Sequence, residues 1–161
     1  MNILLELLLL LLAVSLVDCI TTELYFKPKW RAPGANAKLW DNLYHIRTVV
    51  MFVIWYWCIY LIDCNLLLPS AILHSCGWED MLYAVWVPLF AKAKEAWKYE
   101  PGLQIGPWIF PYEWPWLGDY GGFWKFLSYN IMTLIGGKRV QLLGLVISMI
   151  IGMFIVILIW G

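Results

Sequence analysis

Glu79 and Asp80 stand side by side within PSAILHSCGWEDMLYAVWVPLFAK, residues 69–92, a stretch long and apolar enough to cross a bilayer. Ionisable side chains at that depth are costly, so they mark either a functional group or a polar contact to another helix. As helix neighbours the two acids point about 100 degrees apart, so one can face a cavity while the other meets a different helix. A carboxyl group cut off from water tends to hold a proton, which suits a proton relay or a general acid acting on a lipophilic substrate. Hydroxyl partners are at hand in Tyr83, four residues after Glu79, and in Tyr60, which shares a stripe with Tyr56 and Asp63 on the preceding apolar segment. The structural alternative has each acid hydrogen-bonded to another helix or subunit, fixing assembly. Size favours it, because so small a chain leaves few further polar groups to shape a substrate site.

Asp63, Cys64, His74 and Cys76 form a second constellation. Counted outward from Pro69 at about 1.5 Å per residue, Asp63 and Cys64 on one arm of a hairpin reach about the same depth as His74 and Cys76 on the other. Carboxylate, thiolate and imidazole at one level could hold a zinc or copper ion if the side chains converge. His74 and Cys76 are two apart and diverge on a regular helix, so a shared ion requires a distorted start to that helix. A disulfide between Cys64 and Cys76 is a further option, with separate buried thiols the default. With Cys19 and Cys58 these complete the cysteines, and no C-x-x-C spacing supports a zinc ribbon or a thioredoxin-like motif. Asp41 and His45, at i and i+4, supply half of a metal motif, but an ordinary surface pair on a helix is the commoner cause of that spacing.

The elements that must position these groups follow from composition. The 161 residues are 63% hydrophobic and 14% charged, against about 25% charge in soluble domains. Lipid is therefore the main solvent. Eleven basic residues balance eleven acidic ones, leaving no surplus for a phosphate backbone, so nucleic acid is excluded as a partner. The twelve tryptophans and nine tyrosines suit the hydrocarbon–headgroup boundary and packing between polytopic chains.

The expected architecture is an all-α integral membrane protein with about four transmembrane helices, at 3–20, 49–68, 71–90 and 140–160, forming one polytopic domain. In the first span Glu6 and Asp18 would lie near the headgroups. It lacks a basic leader region, and Asp18 stands where a cleavage site needs a small residue, so it is expected to be retained. Residues 21–47 read as a basic loop ending in a short interfacial helix. The second and third spans form a hairpin, with Pro69 ending the second. Residues 99–137 read as a Trp/Pro-rich interfacial segment in which Pro101, Pro107, Pro111 and Pro115 forbid a continuous helix, although 123–135 could form a short one. In the last span Gly144, Ser148 and Gly152 recur every four residues, a spacing that lets a second helix approach closely.

With four spans, every Lys and Arg falls on one side, which the positive-inside rule makes cytoplasmic or its organellar equivalent, and both termini lie opposite. The leading functional expectation is a small accessory subunit of a larger membrane complex, of energy-transducing or oxidase type, with other membrane subunits and lipids as partners. Small size without an extramembrane domain, the Trp/Pro-rich segment and the small-residue seam all favour it. The alternative is a small membrane enzyme or proton-coupled carrier in which Glu79 and Asp80, with Tyr60 and Tyr83, act on a lipophilic substrate or a proton path. A third reading is a lipid-facing module bound through residues 101–135. A metal ion or a bound lipid is the cofactor these residues could accommodate.

Overall fold

The computed structural model describes residues 3–92, 102–112, 122–123, 125–137 and 140–161. The described chain is mostly helical. We number the helices α1 (Ile3–Trp30), α2 (Ala37–Ile62), α3 (Leu67–Ser75), α4 (Trp78–Phe90) and α5 (Gln141–Trp160). Three of them, α1, α2 and α5, are long and apolar enough to cross a membrane, the mark of a membrane protein. A two-stranded antiparallel hairpin, β1 (Gly102–Ile105) and β2 (Trp108–Pro111), pairs Gly102 with Pro111 and Ile105 with Trp108. A π-helical segment, Lys125–Met132, runs into one α-helical turn, Thr133–Gly136, ahead of α5.

The helices depart from the expected spans at identifiable residues. α1 continues past residue 20 because nothing before Pro28 stops it, and it passes through a π-helical turn, Thr22–Phe26, just ahead of that proline. α2 begins at Ala37, where the short helix at the end of the basic loop was expected, and continues unbroken into the second span. Asn36 is its cap, accepting the backbone N–H of Leu39 at 3.1 Å. The loop thus shrinks to residues 31–36.

α2 ends at Ile62 because Asp63 turns to extended backbone and its carboxylate accepts the N–H of Asn65 at 2.9 Å. Pro69 is therefore not a stop. It sits in the first turn of α3, where a missing N–H costs nothing. The expected helix over 71–90 is broken at Gly77, whose φ of +86° suits glycine and ends α3 before α4 begins.

Two apolar clusters fix how the helices run. Leu7 and Leu11 of α1 meet Ile59 near the end of α2, Leu73 of α3 and Val156 near the end of α5. Cys19, further along α1, meets Tyr83, Ala84 and Val87 of α4, Leu145 near the start of α5 and Ile109 of β2. α1 therefore runs opposite to α2 and α5, and α3 with α4 runs in the direction of α1. Its principal packing partner is α4. Indole N–H groups tie α4 on three sides: Trp86 donates to Ser15 Oγ of α1, Trp78 to the Met149 carbonyl of α5, and Trp108 of β2 to the Val85 carbonyl, each at 3.1 Å.

Candidate functional site

The polar centre of the molecule lies where α1, α2 and α4 meet. α1 supplies Asp18 and Thr22, then Glu23 and Lys27, each pair four residues apart and so on a shared face. Thr22 donates to Asp18 at 3.3 Å, and Lys27 forms an ion pair with Glu23. From α2, Arg47 reaches back to pair with Asp18. Its second amino group also points at the Val17 and Asp18 carbonyls, at 3.4 and 3.3 Å. From α4, the Tyr83 hydroxyl donates to Glu23 at 2.5 Å. Asp18, Thr22, Glu23 and Tyr83 are all buried, so these pairs are shielded from water and from screening ions.

The π-helical turn lies inside this network and carries Glu23 itself. Such turns recur at functional positions because they shift a side chain out of the regular helical phase. Taken pairwise, the arrangement is neutral: Asp18 against Arg47, Glu23 against Lys27. Glu79 is the third acid. It opens α4, is 6% exposed, and lies within electrostatic reach of Asp18, Asp80 and Arg47. Its Oε1 is buried with no hydrogen-bond partner among the described residues.

The acids singled out in the sequence thus divide. Glu79 is buried beside Asp18, whereas Asp80 is only half-buried. Tyr83 joins the network through Glu23, while Tyr60 is exposed on α2. Sequence reasoning missed Asp18, Glu23, Lys27 and Arg47 as interior groups, placing the first at the headgroups and the others in a loop. The available signal was the run of i, i+4 pairs, 18 with 22 and 23 with 27, continuing the helix beyond residue 20.

Asp63, Cys64, His74 and Cys76 are not gathered. Asp63 is occupied with Asn65, accepting from its backbone and its side-chain amide at 2.9 and 2.8 Å, and Cys64 is exposed. His74 turns toward α2, its ring stacked 4.2 Å from that of Phe52 and its Nδ1 2.8 Å from the Tyr56 hydroxyl. Cys76 is buried on the other side, against Gly152 of α5. The two-residue spacing sends His74 and Cys76 to different neighbours, and the helix break at Gly77 follows them both. Among the described residues no three His, Cys, Asp or Glu side chains come together as metal ligands. All four cysteines are free thiols, so the Cys64–Cys76 bridge is not formed. Asp41 and His45 lie 3.7 Å apart on the surface of α2.

Gly144, Ser148 and Gly152 are all buried on one face of α5. The approach is closest at Gly152, where a Cβ would lie 2.6 Å from Cys76 Sγ. Of the residues expected in the interfacial segment, Pro101, Trp114, Pro115 and Trp116 lie outside the described residues. Neither a protein-family profile, nor a curated protein, nor a solved structure matches this chain.

Proposed function

We propose that this chain is a small multi-pass membrane subunit that assembles with the transmembrane helices of other subunits through α2. The observation that carries the reading is how little of α2 the described residues cover. Of its 26 residues only Thr48 and Ile59 are buried, while Val49, Val53, Trp57, Leu61 and Ile62 are each more than half exposed. Shallow grooves of about 630 Å³ flank it, one lined by Phe52, Tyr56, Trp57 and His74, the other by Phe26, Trp40 and Ile54. Aromatic rings with a polar tip, set in grooves of that kind, suit packing against a neighbouring helix better than loose acyl chains. The internal pairing of Asp18 and Arg47 also fits a structural role for the polar centre.

The same reading takes α3 and α4 together as a fourth, broken crossing. Direction supports it: α2 ends near the start of α1 and α5 begins near the end of α1, so the chain between them must pass from one end of the bundle to the other. Lys27, Lys29, Arg31, Lys38 and Lys92 then share one end, which the positive-inside rule makes cytoplasmic, with both termini opposite.

The test is a photo-cross-linking amino acid placed at Val53 or Trp57, with the protein expressed in its own membrane and purified in mild detergent. Cross-linking to a defined membrane protein, recovered in stoichiometric amount without cross-linking, is the expected result. Adducts with lipid alone from both positions would count against the assembly reading.

A further inference from the structure

We propose that Glu79 is a proton-binding site inside the bundle, present as the neutral carboxylic acid, and that it is not a third member of the ion-pair network. This goes beyond assembly and holds whether or not the chain has partners. The groups that bear on Glu79 can be named element by element. α1 presents Asp18 and Cys19, α2 presents Arg47, and α4 itself adds Asp80. α5 carries no titratable side chain.

Arg47 is the cation within electrostatic reach among the described residues, and its guanidinium is already engaged with the Asp18 carboxylate and with two backbone carbonyls. An ionised Glu79 would add a further negative charge beside Asp18 and Asp80, in a position more than nine-tenths buried, with Oε1 unpartnered among the described residues. A buried charge in that situation is far more costly than the neutral acid. Protonation removes the charge and turns the acceptor-only group into a donor. A purely structural carboxylate would instead be expected to be held by donors, as Asp18 is at Oδ1 by Arg47 and Thr22 and Glu23 is at Oε1 by Lys27 and Tyr83.

Infrared spectroscopy of the full chain in lipid, with glutamate or aspartate carboxyl groups labelled with carbon-13, tests this at neutral pH. The expected result is a protonated-carboxyl stretching band that shifts with labelled glutamate and not with labelled aspartate. It should persist in Asp80→Asn and vanish in Glu79→Gln. Glu79→Asp provides a second variant, in which the band should move to the aspartate-labelled sample. Absence of any such glutamate band in the unaltered protein would overturn the proposal, as would a band that survives in Glu79→Gln or stays with glutamate in Glu79→Asp.

Discussion

Two groups of polar side chains among the described residues are treated by the backbone in opposite ways. Between α1, α2 and α4, buried Asp18, Glu23 and Tyr83 and half-buried Lys27 and Arg47 are drawn into two adjoining sets of pairs. Around the α2–α3 turn, Asp63, Cys64, His74 and Cys76 are richer in metal-binding chemistry yet are dispersed to separate neighbours. Spacing and continuity decide the outcome. Residues four apart on an unbroken helix share a face. Residues two apart beside a helix break do not.

The comparison can be broken first at its strongest contact. Arg47→Gln leaves Asp18 buried without its cation, and a loss of about 3–5 kcal/mol is expected from removing one partner of a buried pair. Unfolding in mixed micelles, followed by loss of helical signal, measures it. Tyr83→Phe removes a hydroxyl that donates to a buried carboxylate, and about 2 kcal/mol should be lost in the same assay. Gly152→Ala tests the seam between α5 and Cys76: the added methyl has no room, and overpacking is expected to cost about 1 kcal/mol or somewhat more. The dispersed constellation should respond least. Cys64 is exposed and makes none of these contacts, so Cys64→Ser should shift stability by no more than about 0.5 kcal/mol.

The apolar segments were plain in the sequence, and so was the odd position of Glu79, because hydropathy and isolated charge are local properties. The extent of α1 was less plain. Lys27, Lys29 and Arg31 give residues 21–31 the composition of a loop, whereas the pairing of Glu23 with Lys27 and with Tyr83, sixty residues away, helps hold that turn in the interior. The role of Arg47 was hidden for the same reason, since its partner lies on another helix. For the hairpin, depth counting placed His74 and Cys64 at one level. It could not show that Asp63 would end α2 early by turning to Asn65, or that Gly77 would divide the following helix.

The central claim is that the charges of the interior are paired within this one chain, Asp18 with Arg47 above all. A double-mutant cycle with Asp18→Asn, Arg47→Gln and the two together tests it most directly, because the coupling energy isolates the pair from each group's other contacts. If the account is right, each single substitution is strongly destabilising and the double variant recovers most of the loss, since neither charge is then left buried alone. If the two losses simply add, Asp18 and Arg47 do not answer one another, and the pairing at the centre of this bundle is contradicted.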